Sequence, residues 1–171
     1  MKDTVIILGS SRSKGNTSRV VDYINEKYNI DVIDLNRYKI GYFDYDFKNM
    51  NDDFIPLMRK IIKNYNNLVF ATPVYWYNMS GILKVFFDRF SDLLHYEKDL
   101  GRKLRGKNMA MISCSNSNDL KEGFAAPFIA SSNYLGMHYL GEIHTWLNAN
   151  EISPEVKEKI DTFITEVTNT N

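Results

Sequence analysis

The 171 residues suit one domain, at roughly 150 residues per domain, and the 44% apolar content is enough to bury a core without a disulfide or metal staple. Lys and Arg number 21 and so do Asp and Glu, so the formal charge is zero. That balance argues against a nucleic-acid binder with its basic stripe and against polybasic membrane attachment. The single cysteine, Cys114, excludes an internal disulfide and a cysteine-built zinc or iron–sulfur site within one chain.

No export signal is expected, because after Met1, Lys2 and Asp3 the apolar run is only Val5, Ile6, Ile7 and Leu8. No stretch approaches the ~20 apolar residues of a membrane helix. A lone cysteine fits a reducing compartment, so a cytoplasmic protein is expected. In chain order, Thr4–Leu8 predicts a first strand, and a polar loop from Gly9 to Arg19 then opens a helix with Val20, Ile24 and Tyr28 on one face. A second strand is predicted at 30–35. Phe54, Leu57, Ile61 and Tyr65 make the next helical stripe. A third strand at 68–71 precedes a broad stripe of Ile82, Phe86, Phe90, Leu93 and Leu94. A fourth strand is predicted at 109–112, and a helix at 123–135 must hold Pro127 in its first turn or be kinked by it. A weaker fifth strand at 138–144 leads to a last helix with Val156, Ile160, Phe163, Ile164 and Val167 on one face. Ser153 is its N-cap, Pro154 its first residue and Glu155 an acid in its first turn.

Continuous apolar runs, not alternating ones, indicate strands buried on both faces. Strand and helix alternate throughout. The pattern predicts a three-layer α/β fold, flavodoxin-like, with a five-stranded parallel sheet in the order 2-1-3-4-5 and five helices on its two faces, across residues 1–171 as one domain. Ligands of such sheets sit at the carboxyl ends of the strands, beside the switch in strand order. The loops after Leu8, Ala71 and Ile112 should therefore lie side by side.

The first of these loops is dense in hydroxyls, with two glycines and the cations Arg12, Lys14 and Arg19 at a helix start. Unpaired N–H groups and a partial positive charge there, with the loop's hydroxyls and an arginine, suit a phosphate. The plainer alternative is a polar turn with Asn16 or Thr17 as N-cap. The loop lacks both G-x-G-x-x-G and G-K-[ST], so neither the dinucleotide fingerprint nor a triphosphate loop is present. It has no cysteine for a thiolate phosphatase, and Gly9 stands where a response regulator needs an aspartate. After the third strand come Pro73, Val74, Tyr75, Trp76 and Tyr77, three aromatics in a row at the ligand end. They are costly if bare, so either a flat ligand or another subunit covers them, or Tyr75 and Trp76 are ordinary core residues. Ser80 is an N-cap candidate for the helix that follows.

Gly9-Ser10-x-Arg12-x-x-Gly15-Asn16-Thr17 and Thr72-Pro73-Val74-Tyr75-Trp76, continuing through Ser80-Gly81-x-Leu83-Lys84-x-Phe86-x-Asp88-Arg89, together resemble the NAD(P)H-dependent FMN reductase family, in the branch related to iron–sulfur flavoproteins. The resemblance implies that Ser10, Arg12, Asn16, Thr17 and Ser18 hold the FMN phosphate, that Pro73, Val74, Tyr75 and Trp76 border the isoalloxazine, and that Ser113, Ser115 and Asn116 meet the ring from its other side. It gives Leu83, Lys84, Phe87, Asp88 and Arg89 structural roles. The family often has glycines in the loop from Ser113 to Asp119, and this chain has none there. The segment from Ile40 to Phe47 stands where iron–sulfur flavoproteins carry their cysteines. It holds none, so no cluster is expected; its aromatics cover either the flavin edge or a subunit interface, or form a tethered surface loop.

The implied activity is that of an FMN-dependent NAD(P)H oxidoreductase. NADPH or NADH passes a hydride to flavin N5, and the electrons then go to a small acceptor such as a quinone, free flavin, nitro or azo compound on the same face. That alternation predicts ping-pong kinetics. The chemistry belongs to the cofactor, and no catalytic side chain is assigned. A homodimer or homotetramer is implied by the family. The rivals are a flavodoxin-type electron carrier, which is usually acidic, and a flavin-binding regulator without catalysis. His95, His138 and His144 have no metal spacing. The basic run from Arg102 to Lys107 is a solvated connection or, in second place, an attractor for NADPH phosphates.

Overall fold

The fold was taken from a computed structural model, which describes residues 3–147 and 151–170. The reading of the chain start rests partly on Met1 and Lys2, which lie outside the described residues. Strands β1 (Thr4–Leu8), β2 (Asp31–Asp34), β3 (Asn67–Pro73), β4 (Asn108–Ser115) and β5 (His138–Trp146) form one parallel sheet in the order β2-β1-β3-β4-β5. Ile7 stands beside Ile33 on one side and Phe70 on the other, and Phe70 beside Met111.

The continuous apolar runs serve two cores. Val5, Ile7, Leu68, Phe70, Met109 and Met111 point to one face of the sheet, while Ile6, Leu8, Val69, Ala71, Ala110 and Ile112 point to the other. Helices α1 (Asn16–Tyr28) and α7 (Pro154–Asn169) cover the second face. Helices α2 (Phe54–Asn64), α3 (Gly81–Asp88), α4 (Phe90–His95), α5 (Lys98–Arg102) and α6 (Ala126–Leu135) supply the first core. Much of the phenylalanine lies there: the Phe70 ring is 4.9 Å from Phe87 and 6.3 Å from Phe86.

The elements differ from expectation in three places. The single helical stripe over 82–94 is two helices, because the ladder tightens at Arg89, where Asp92 N–H reaches back only three residues to the Arg89 carbonyl. Arg89, 1% exposed, turns inward to Asp92 and Asp52 and donates to the carbonyls of Gly41 at 2.9 Å and Asn49 at 3.1 Å. It thereby ties the segment from Gly41 to Asp52 to the α3–α4 junction. Helix α5 is additional, and α5 packs on α4 through Gly101, where a Cβ would come within 2.2 Å of the Leu93 carbonyl oxygen. Strand β4 runs on to Ser115, so Ser113 and Ser115 belong to the strand and not to the loop after it. Pro127 does sit in the first turn of α6, and Ser153 caps α7 by accepting from Val156 N–H.

The parallel order sets the carboxyl ends of β1, β3 and β4 next to one another. The basic run from Arg102 to Lys107 precedes β4 and so lies at the opposite end of the sheet. It is the solvated connection of the two readings: Arg102 pairs with Asp99, and Lys107 donates to the Tyr65 carbonyl.

Candidate active site

At the carboxyl ends of β1, β3 and β4 lies a cleft of about 200 Å³, lined by Ser10, Arg12, Gly15, Asn16, Thr17, Pro73, Val74, Tyr75, Cys114, Ser115 and Asn116. Three segments far apart in the chain meet there. The first wall is the β1–α1 loop. Ser10 Oγ accepts from Arg12 N–H at 3.2 Å, Gly15 N–H donates to the Arg12 carbonyl at 3.1 Å, and Ser18 Oγ donates to that carbonyl at 3.0 Å. The loop therefore closes around its own backbone and leaves the Arg12 side chain exposed.

Gly15, not Asn16 or Thr17, is the N-cap of α1, with extended backbone and no capping side chain. The first turn of α1 carries no acid. Its leading N–H groups thus keep their donors and partial positive charge, an arrangement suited to an anion. Ser18 is buried and engaged within the loop, so it supports the wall from behind and does not line the cleft.

The second wall follows β3. Val74 N–H bonds the Cys114 carbonyl at 2.9 Å, which locks this wall to β4. Tyr75 and Asn78 exchange both backbone bonds at 3.0 Å around Trp76 (φ 48°) and Tyr77 (φ 63°). Two positive φ values make a turn normally built from Asn and Gly, here occupied by two aromatics. The core reading of Tyr75 and Trp76 is overturned: Tyr75 is 44% and Trp76 93% exposed. Tyr75 lines the cleft, while Trp76 and Tyr77 stand at the tip of the turn, outside it.

The walls are joined beneath. Ser80 caps α3 by accepting from Leu83 N–H and donates its own hydroxyl to the Gly9 carbonyl at 2.6 Å. A Cβ on Gly9 would lie 2.5 Å from Leu83 Cβ, so only glycine lets α3 approach β1 this closely. Across the cleft, Asn16 Nδ2 donates to Asn116 Oδ1 at 3.0 Å.

The third wall is the end of β4. Ser115 and Asn116 line the cleft, but Ser113 is fully buried and bonded to His144 Nδ1 at 2.8 Å. Gly15 and Cys114 join the lining; the sequence sets Cys114 in the loop expected at the flavin, but as a small apolar residue. Burial pushes the Cys114 thiol up against weaker opposing bonds from Thr145 and Thr17, so it is no thiolate at neutral pH. None of the aromatics from Tyr42 to Phe47 lines the cleft; Phe43 packs on Tyr45 and Phe47 on Tyr96, as in a tethered surface loop. Among the described residues no group of three or more His, Cys, Asp or Glu side chains is placed to hold a metal, and no helix is long and apolar enough to cross a membrane.

A sheet of this order is flavodoxin-like, and it sets the hydroxyl- and arginine-bearing loop of β1 beside the aromatic turn that follows β3. The chain belongs to the NADPH-dependent FMN reductase family, whose model matches residues 3–151. It is 28% identical over 144 residues to a putative NAD(P)H-dependent FMN-containing oxidoreductase, YwqN of Bacillus subtilis, covering 80% of this chain and 77% of that one. It is 27% identical over 175 residues to an iron-sulfur flavoprotein of Clostridioides difficile, covering 91% of this chain and 73% of that one. Among solved structures, the Trp repressor binding protein of Bacillus subtilis superposes with a TM-score of 0.74 at 22% identity, covering 98% of this chain and 99% of that one. The protein is thus an FMN-dependent NAD(P)H oxidoreductase, with FMN as cofactor and NAD(P)H as co-substrate. The likeness to the iron-sulfur flavoprotein does not extend to a cluster, for Cys114 is the chain's one cysteine.

Proposed function

We propose that the cleft at the ends of β1, β3 and β4 holds FMN, with its phosphate on the β1–α1 loop and its ring between Tyr75 and the end of β4. The observation that carries this reading is the uncapped, acid-free start of α1 beside Arg12 and Ser10, facing an aromatic wall across one narrow cleft. The residues fit the cofactor. Arg12 supplies a fixed positive charge, and the hydroxyls of Ser10 and Thr17 with the Asn16 amide supply short-range donors for a phosphate. Pro73 and Val74 offer a stiff, half-apolar edge for a flat ring, and Ser115 and Asn116 offer polar atoms on its other side. Ser18 and Ser113 act one step back, holding the Arg12 carbonyl and the base of the third wall.

When bound, FMN would supply the redox chemistry, hydride exchange with NAD(P)H and electron delivery to a small flat acceptor such as a quinone, free flavin, nitro or azo compound. The chain's own part is to bind and orient. Tyr75 closes one edge of the ring site. Trp76 and Tyr77, outside the lining but next to it, border the face on which nicotinamide and acceptor take turns. No side chain has to move a proton in the reductive half, in keeping with a cleft that holds no histidine or carboxylate among its lining residues.

We further propose a cytosolic homodimer or homotetramer. A lone, buried cysteine suits a cytosolic protein, and the exposed aromatic turn beside the cleft suits an oligomer. The site assignment is tested by FMN titration of Arg12→Ala and Asn16→Ala, followed by flavin fluorescence. Weakened binding in both is expected; unchanged affinity in both would move the phosphate elsewhere.

A further inference from the structure

We infer that His144 is a positioning residue of this site: as a neutral imidazole strung between Ser113 and Ser117, it latches the end of β4 and so holds Ser115 and Asn116 against the first loop. The inference rests on the flavin reading of the cleft. His144 stands beside Ser113 in the β4–β5 register. Its Nε2 lies 2.9 Å from the Ser117 carbonyl and 3.1 Å from Ser115 Oγ, while its Nδ1 lies 2.8 Å from Ser113 Oγ. A carbonyl only accepts, so Nε2 carries the proton and donates to Ser117, and Nδ1 accepts from the Ser113 hydroxyl. Ser115 Oγ completes the knot, donating to the Ser117 carbonyl at 2.6 Å and accepting from Ser117 N–H at 3.2 Å.

Asn116 is the residue between these two serines, and its Oδ1 takes the Asn16 bond across the cleft. One ring on β5 therefore sets the backbone that aims Asn116 and Ser115 into the site. The ring itself is fixed. It stacks on Trp146 with centroids 6.2 Å apart, and Lys159 Nζ sits 4.7 Å from the centre of the Trp146 ring.

The latch is specific for the neutral ring. A proton on Nδ1 would face Ser113 Oγ, whose hydrogen would then have to turn to the Ile143 carbonyl at 3.4 Å, a poor bond. Burial lowers the imidazole from its ordinary 6.5; the Ser117 carbonyl opposes this, and of the charged groups that face it Lys159 lowers and Asp119 raises. With the latched value below the free one, the latched loop binds fewer protons than a released loop in mildly acid solution. Acidification below about pH 6.5 therefore favours release, and FMN affinity should fall with it.

The test uses the full chain in two measurements. Long-range proton–nitrogen NMR of the flavin-free protein should show Nε2 protonated and Nδ1 bare at pH 7.5. The side-chain amide signals of Asn116 should shift with the midpoint of the His144 ring. FMN titrations between pH 5.5 and 8 should show the wild type losing more affinity on acidification than titration of the FMN phosphate alone brings. His144→Gln keeps a donor for Ser117 but does not titrate; it should bind FMN near the wild-type level at pH 7.5 and show only the pH dependence of the FMN phosphate itself. His144→Leu should be weak throughout. Asn116 signals indifferent to the ring, or a His144→Leu protein with the wild-type affinity and profile, would overturn the latch. A chain that took up no FMN at any pH would sink the flavin reading instead, and the NMR titration would still decide the latch.

Discussion

Asn16 and Asn116 stand 100 positions apart in the chain, yet their side-chain amides meet at 3.0 Å across the mouth of the cleft. The bond joins the start of α1 to the end of β4 and exists only because β1, β3 and β4 are neighbours in the sheet. Asn16→Ala deletes this neutral hydrogen bond and, on the proposed placement of FMN, one donor to its phosphate. A net loss of about 1 kcal/mol, or several-fold in FMN dissociation constant, is expected. On the same placement Arg12→Ala removes a charge-assisted bond to the phosphate of about 1.5–3 kcal/mol, and ~10–100-fold is expected. Quenching of FMN fluorescence reads both.

Gly9→Ala tests the join beneath the cleft. The new Cβ would press on Leu83 Cβ at 2.5 Å and push α3 away from β1, straining the Ser80 bond to the Gly9 carbonyl. Overpacking of this kind costs about 1–3 kcal/mol. Urea unfolding should show that loss, together with weaker FMN retention.

Trp76 holds φ 48° at the exposed tip of its turn. Glycine takes that conformation freely, so Trp76→Gly should leave the unfolding midpoint unchanged or raise stability by about 1 kcal/mol. Turnover with a flat acceptor should meanwhile fall, by up to about tenfold if Trp76 stacks on it. Paired thermal melts and steady-state rates separate the two effects. A loss of stability with normal turnover would show that the turn is structural.

Arg89→Met strands the buried Asp92 and the partly buried Asp52 without a cation. Breaking such a network costs about 3–5 kcal/mol and frees the segment from Gly41 to Asp52. Denaturant unfolding should show the loss, with proteolysis beginning in that segment.

Asp161 gathers the Tyr23 and Tyr28 hydroxyls and Lys27 Nζ, fastening α7 to α1. Partial burial works against its charge, but the bonds from Lys27, Tyr28 and Tyr23 outweigh it and hold the carboxyl below its usual 3.8. A lowered carboxylate contributes stability above the unfolded value and loses it as pH falls through the folded one. Asp161→Asn should therefore cost about 1 kcal/mol at neutral pH, a modest figure because solvent screens the cluster. The difference from wild type should shrink as pH falls below 3.8 and through the lower folded value, so it should be smaller in melts at pH 3 than at pH 7.

The sheet was legible because strands buried on both faces cannot alternate, and the runs around Ile6, Val69 and Ala110 do not. The three loops were legible because strand order alone brings the residues after Leu8, Ala71 and Ile112 together. What escaped were long-range side-chain bonds. Nothing near Arg89 in sequence announces Asp52 or the Gly41 carbonyl, so the break between α3 and α4 was hidden. Ser113 looks like loop until Ile143 and His144 extend the pairing of β4, and His144 looks solitary because its partners lie about 30 positions away. The family resemblance sets Trp76 beside the flavin ring; two left-handed residues in succession put it at the exposed tip of its turn, which nothing in the local sequence announces.

The most direct test is a visible absorption spectrum of the purified chain after FMN is added and the excess removed, followed by anaerobic NADPH and, separately, NADH. The account predicts a retained flavin spectrum that bleaches with at least one nicotinamide and returns when a quinone is admitted. A retained flavin that ignores both nicotinamides and bleaches only with dithionite would contradict reductase activity, and failure to retain flavin would contradict the assignment of the cleft itself.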